Sequence, residues 1–335
     1  MSRWIYILFL ISLILACSEE KEFAVSLNSI EIPIGFPEME FPEDNPYTSE
    51  AWTLGKSLFY DPILSLDSTI SCATCHIPEL AFSDGLATSI GINERVGRRN
   101  APSLANVGYH LYFTREGGVP TLEMQVLVPI QEHDEMHFNI VLAAERLQKS
   151  STYIQASLKA YGRTPDPYVI TRALANFERM LISGNSKYDK FLRGEMALTA
   201  EELHGRDLFN SDELKCASCH GGFNFTDYRF ANNGVYATYE DLGRMRLTNN
   251  DSDEALFKTP SLRNVAITQP YMHDGSFNTI EEVIEHYARG GSGHINQSNL
   301  IKGFELTQED QKALIAFLYT LTDQEFISNE LFKEE

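Results

Sequence analysis

The sequence predicts an all-α protein made of two tandem domains of similar plan, with long loops between the helices. Three features predict it: a cysteine–histidine motif that occurs twice, helix-forming strings that recur around each copy, and the scarcity of alternating strand-like patterns. The chain has 335 residues, enough for two domains that each bury a core. Apolar residues make up 43% and charged residues 22%, a globular balance. Asp and Glu number 47 against 27 Lys and Arg, a net charge of -20. That balance argues against nucleic acid, or an anionic membrane surface, as a partner.

The N-terminus reads as an export signal. Arg3 precedes an apolar run from Trp4 to Ala16, which is short for a membrane span and has the length of a signal-peptide core. The run ends at Ile14-Leu15-Ala16-Cys17 before Ser18-Glu19-Glu20, the pattern of a bacterial lipobox. Residues 1–16 are therefore expected to be removed, and Cys17 to be lipidated, leaving an exported lipoprotein anchored to a membrane and facing the periplasm or the cell surface. The plainer alternative is an ordinary signal peptide with an incidental Cys. Residues 17–47, with their Pro, Glu and Asn, read as a tether and extended lead-in.

The four remaining cysteines form Cys72-Ala73-Thr74-Cys75-His76 and Cys216-Ala217-Ser218-Cys219-His220. C-x-x-C-H is the attachment signature of c-type haem: both thiols add to vinyl groups and the following imidazole reaches the iron. A thioredoxin-like redox pair would sit at the mouth of a βαβ unit, and no such alternation flanks either motif. A zinc site can take four thiolates from two such pairs but leaves both histidines unexplained. Two complete motifs with no other thiol beyond Cys17 point to two covalently bound haems. Cys72, Cys75, Cys216 and Cys219 attach them, and His76 and His220 bind their irons.

The surrounding strings repeat. Leu54-Gly55-Lys56-Ser57-Leu58-Phe59 precedes the first motif and His204-Gly205-Arg206-Asp207-Leu208-Phe209 the second, each a short amphipathic helix whose Gly permits close packing. Arg99-Asn100-Ala101-Pro102-Ser103-Leu104-Ala105-Asn106-Val107 follows the first motif, and Thr259-Pro260-Ser261-Leu262-Arg263-Asn264-Val265 the second. Further helices are expected over about Pro167–Ser183 and Thr307–Thr322, the latter with Leu314, Phe317, Leu318 and Leu321 at helical spacing. Gly, Asn and Ser cluster between Gly184 and Thr199, which sets the expected division at residues 48–190 and 191–335.

These strings resemble the bacterial dihaem cytochrome c peroxidase family, including its MauG-like branch. The resemblance covers about Phe36 to Phe326. It rests on Leu58-Phe59-Tyr60-Asp61-Pro62, Arg99-Asn100-Ala101-Pro102, the segment from Gln125 to Glu135, and Pro270-Tyr271-Met272-His273-Asp274-Gly275. It implies two cytochrome c-like domains, a peroxidatic haem in the first and an electron-transfer haem in the second. It also implies hydrogen peroxide as substrate and a small electron donor such as cytochrome c as partner; a homodimer is left open.

Read alone, the acidic residues Glu132, Asp134 and Glu135 form either a solvated turn or a proton-handling site. The resemblance places Gln125, Pro129 and Glu135 on the distal side of the haem bound through His76. A single carboxyl there can take the proton that peroxide loses and return it to the departing oxygen. Gln125 would orient the peroxide, and Pro129 would fill space without offering a ligand. His133 and His137 are nearby alternatives as base or sixth ligand. Many family members carry a switchable His ligand in the loop after the first motif, but Ile77 to Asn100 contains no His. The first haem is therefore expected to be open without reductive activation.

For the second haem, Met272, His273, His286 and Tyr287 are candidate far-side ligands. The position matching the family's usual Met is Tyr287, as in the MauG-like branch, and helical spacing places it on one face with Val283 and Ile284. The same spacing suits a plain core tyrosine. A tyrosine oxygen would favour oxidised iron and lower this haem's potential. The family's usual inter-haem calcium would take Asn100 (side chain) and the carbonyls of Thr268 and Pro270; the other reading has Asn100 capping a turn. Where the family places a Trp between the haems, this chain reads Tyr112-Phe113-Thr114-Arg115-Glu116-Gly117-Gly118, and its only tryptophans are Trp4 and Trp52. Two alternatives to the peroxidase follow: a MauG-like oxidase of a protein or small organic substrate, and a dihaem electron carrier without chemistry of its own.

Overall fold

Capping side chains set where the main helices begin. Thr48 Oγ1 accepts the Ala51 N–H at 3.1 Å and starts the Ser49–Tyr60 helix. Asp166 caps the Pro167–Arg179 helix through the Val169 N–H at 2.9 Å, with Pro167 in the first turn where its missing N–H does no harm. Reciprocal caps open two more helices, Thr199 with Glu202 at Ala200–Phe209 and Thr307 with Asp310 at Gln308–Tyr319. The computed structural model describes residues 31–334, so the export signal and Cys17 lie outside the described residues.

These four helices pack as two equivalent pairs. Gly55 lies against the carbonyl of Ala173 and the Cβ of Phe177, and Gly205 lies against the carbonyl of Ala313 and the Cβ of Phe317. A Cβ at either glycine would overlap that carbonyl, so the backbones meet only because both positions are glycine. Around the first crossing Leu58, Phe59, Phe82, Ile170, Leu174 and Phe177 form one core. Around the second, Phe209, Leu214, Phe225, Ile284, Phe317 and Leu321 form another. The fold is mostly helical and the loops are long. The two-residue strands Phe230–Ala231 and Phe257–Lys258 pair antiparallel in a small sheet. Among the described residues no helix is long and apolar enough to cross a membrane.

Each half turns at a left-handed asparagine: Asn106 (φ 60°) donates its N–H to Leu181 O at 2.7 Å, and Asn264 (φ 60°) donates to Leu321 O at 3.0 Å. Both side chains converge on Ser183. Asn106 Oδ1 accepts the Ser183 N–H at 2.8 Å, and Asn264 Nδ2 donates to Ser183 Oγ at 3.0 Å. This buried polar junction locks the halves together, since breaking it would strand several donors and acceptors away from water.

Two segments depart from the expected division. Phe326 and Phe332 turn back into the first core, 5.6 and 6.4 Å from Phe82 ring to ring. The C-terminal residues thus close the first half, because their two aromatic rings find apolar cover there. The lead-in is docked along its later part: Phe36 meets Phe223 edge-on at 4.8 Å, and the buried Asn45 donates to Glu123 Oε1 at 2.8 Å. Replacing Gly55 or Gly205 with Ala should force the paired helices apart and lower folding stability by about 1–3 kcal/mol or more. Thermal unfolding of the variants checks this, and an unchanged midpoint would contradict the close approach.

Candidate functional site

The first motif occupies the single helical turn Cys72–Cys75, and His76 leaves it with its N–H still bonded to Cys72 O at 3.0 Å. His76 Nδ1 lies 2.7 Å from Phe82 O. A carbonyl only accepts, so Nδ1 carries the proton and Nε2 keeps the lone pair that a metal needs. The second motif repeats this: His220 Nδ1 lies 3.2 Å from Phe225 O. Phe82 and Phe225 both adopt left-handed backbone, at φ 61° and 50°, which turns each carbonyl toward its imidazole. The four thiols are free and half-buried, and burial pushes Cys75 up to about 11 and Cys216 up to about 12. Neutral free thiols beside an oriented imidazole suit thioether attachment of a haem. Among the described residues no group of three or more His, Cys, Asp or Glu side chains could hold a metal ion, so the motifs do not join in a zinc site.

A cavity of about 610 Å³ opens beside the second motif, lined by Cys216, Cys219, His220, Val283, Ile284 and Tyr287. Tyr287 sits on the Ile280–Ala288 helix, and burial pushes its phenol up to about 12, with Cys216 and Cys219 adding to the rise. Its oxygen is therefore close to both attachment thiols. Asn233 makes a side-chain hydrogen bond to this phenol and also engages two of the other candidates. His286 donates Nε2–H to Asn233 O at 2.9 Å, Met272 Sδ accepts from Asn233 Nδ2 at 3.1 Å, and His273 stacks on Phe257 at 4.4 Å.

The distal segment of the first half is built on the same pattern. The Phe113–Val119 bridge (2.8 Å) mirrors Tyr271–Phe277 (2.7 Å), and Thr121 caps Leu122–Gln125 as Thr279 caps Ile280–Ala288. The same number of residues beyond each threonine come Pro129 and Tyr287. The position that holds a phenol oxygen in one half thus holds a proline in the other, which has no group to offer a metal. Met136 N–H donates to Pro129 O at 3.1 Å, folding Glu135 back over this turn. Gly91 packs on the Asp134 carbonyl so closely that a Cβ would overlap it, and Ile92 N–H donates to Glu135 O at 3.0 Å. Burial, then the charges of Glu132 and Asp134, push the Glu135 carboxyl up to about 7. It stands near enough to Cys72 and Cys75 to raise their thiols in turn. His133 instead faces solvent and pairs with Asp134 at 2.7 Å. Gln125 lines the shared cavity with its Oε1 buried and, among the described residues, without a hydrogen-bond partner, a donor-seeking atom where a ligand would lie.

Between the halves, Asn100, Thr268 and Pro270 line the same cavity, as the calcium expectation requires. Asn100 Oδ1, however, already accepts from Arg115 Nη2 at 3.0 Å. Tyr112 is 46% exposed, and Trp52 is buried in the first core against Phe177. Sequence reasoning missed three residues here. Gly91 holds Glu135 in place; Arg115 stands where the two halves meet; and Glu178, buried near Cys72, has its carboxyl pushed up to about 8 by burial. Gly91 lay within the His-free loop but had no local signal, because its partner comes from a distant segment.

Two motif-bearing halves, each with an oriented imidazole, define a dihaem c-type cytochrome. A profile of the di-haem cytochrome c peroxidases matches residues 49–197, and a cytochrome c profile matches residues 203–322. The methylamine utilization protein MauG of Methylorubrum extorquens is 38% identical over 286 residues, spanning 84% of this chain and 80% of that protein. The cytochrome c551 peroxidase of Nitrosomonas europaea is 34% identical over 285 residues, spanning 83% and 81%. The crystal structure of a MauG-like protein associated with microbial copper homeostasis superposes with a TM-score of 0.88 at 34% identity, covering 91% of this chain and 98% of that one. The chain belongs to the dihaem cytochrome c peroxidase family that includes MauG.

If Tyr287 binds the second iron, exchanging it for Met should raise that haem's reduction potential, because a thioether stabilises reduced iron better than a phenolate does. Redox titration of Tyr287→Met checks this; an unchanged potential would leave Tyr287 a core residue.

Proposed function

We propose that the protein is a peroxidase that reduces hydrogen peroxide with electrons from a small cytochrome c or similar donor. Each turnover consumes one peroxide, two electrons and two protons and yields two waters. The observation that carries this reading is the register of Pro129 with Tyr287, with Glu135 folded over the proline. One half offers an open face beside a titratable carboxyl; the other offers a phenol. A haem held by Cys72, Cys75 and His76 would supply the iron and pass on the electrons needed to cleave the O–O bond. Glu135 accepts the proton that peroxide gives up and returns it to the departing oxygen, and Gln125 orients the peroxide by hydrogen bonding. Pro129 keeps the face clear of competing ligands. Electrons enter at the half that holds His220 and Tyr287.

An oxidase of a protein or organic substrate is the second reading, and the oxygen of Tyr287 favours it, since a low-potential second haem would share an oxidising equivalent with the first. Export and a lipid on Cys17 complete the proposal and rest on the N-terminal sequence alone.

Mixing the dihaem protein with peroxide and reduced cytochrome c separates the readings. Donor oxidation at catalytic rates supports the peroxidase, and a lasting change in haem absorption without donor turnover supports the oxidase. Absence of both leaves an electron carrier. With Glu135 near 7, the ionised, proton-accepting form is lost as pH falls through that value, so kcat/KM should decline on the acid side. Glu135→Gln should lose that limb and lower turnover by roughly 10²–10⁴, about 3–5 kcal/mol of barrier. Near-normal turnover in the variant would remove Glu135 from the role.

A further inference from the structure

We propose that the guanidinium of Arg115 is the resident cation between the two halves, and that no calcium ion binds at Asn100, Thr268 and Pro270. Arg115 Nη2 donates to the main-chain oxygen of Asn100 at 2.6 Å and to its Oδ1 at 3.0 Å. That amide oxygen is the only side-chain ligand the calcium expectation offers. It cannot turn elsewhere, because Asn100 Nδ2 donates to Leu86 O at 2.8 Å. Flipping the amide would set its NH2 against the guanidinium and its oxygen against a carbonyl, losing both bonds.

Calcium needs its oxygen ligands at about 2.3–2.6 Å, in a shell of six to eight. An ion at that distance from Oδ1 would confront a guanidinium already bonded to the same oxygen. None of the three expected ligands is charged, and the acidic groups nearby, Asp274, Asp241 and Glu116, already act on the guanidinium. The guanidinium stays charged at neutral pH: burial and neighbouring Arg99 lower it to about 10, while Asp274, Asp241 and Glu116 hold it up. Asn100 also makes a mechanical tie between the halves, and Arg115 braces it. Asn100 N–H donates to His273 O at 2.9 Å, so the chain Arg115, Asn100, His273 links the loop after the first motif to the turn before the Ile280–Ala288 helix. In the internal repeat Arg115 stands in register with His273, which brings the two residues to the same junction from opposite halves. The buried Nε of Arg115 has no hydrogen-bond partner among the described residues, and the residue lines the shared cavity.

The test uses the purified dihaem protein, treated with EGTA and dialysed. Its calcium content is measured by mass spectrometry, and calcium chloride is then titrated by calorimetry while the haem absorption is followed. No bound calcium, no binding heat and unchanged bands are expected. Arg115→Gln removes the charge and should gain one weak site, with Kd of about 10⁻⁴–10⁻³ M. One tightly held calcium in the native protein would overturn the proposal. So would an Arg115→Gln protein that keeps both haems and binds no calcium, because the guanidinium would then not be what excludes the ion. The readout is metal and heat, not turnover, so its failure leaves the peroxidase reading standing.

Discussion

Each half of the protein is organised by an imidazole tied through Nδ1 to a main-chain carbonyl, His76 to Phe82 and His220 to Phe225. That single bond fixes the tautomer, the ring plane and the direction of the free nitrogen. It depends on a phenylalanine held in left-handed backbone, which in turn depends on the cores that bury Phe82 and Phe225. The cores exist because two glycine contacts let the flanking helices meet backbone to backbone. Remove the close approach and the carbonyls lose their aim.

The two halves differ at a few points on this shared scaffold. Pro129 and Tyr287 stand at equivalent points, one unable to reach a metal and the other carrying an oxygen. Around the proline the chain adds what the other half lacks: a folded-back carboxyl, lifted toward neutrality by burial, and a glycine-tight loop pressing on it from behind. A carboxyl that titrates near the working pH can both take and give a proton, which an exposed carboxyl with an ordinary pKa does poorly. The junction at Ser183 and the Arg115–Asn100–His273 link then hold the two unlike sites in fixed relation.

Much of this was legible in the sequence, for a physical reason. The attachment motifs, the helix caps and the packing glycines are local features, read from residues a few positions apart. Their duplication made the two-part helical plan readable, and the MauG-like position of Tyr287 drew attention to the Ile280–Ala288 helix. The rest depended on contacts between distant segments. Nothing near Gly91 announces that it meets Asp134, and nothing near Asn100 announces that Arg115 takes its oxygen. The return of Phe326 and Phe332 to the first core was equally hidden, since two apolar residues in a short terminal stretch suit either half. The partners of Met272, His273, His286 and Tyr287 were hidden too, since spacing alone does not supply them.

Unlike coordination is expected for two otherwise similar haems, and electron paramagnetic resonance of the fully oxidised protein tests that most directly. Two signals of equal weight are expected: a high-spin iron from the half with Pro129 and a low-spin, six-coordinate iron from the half with Tyr287. Two low-spin signals, with no vacant position in either half, would contradict it.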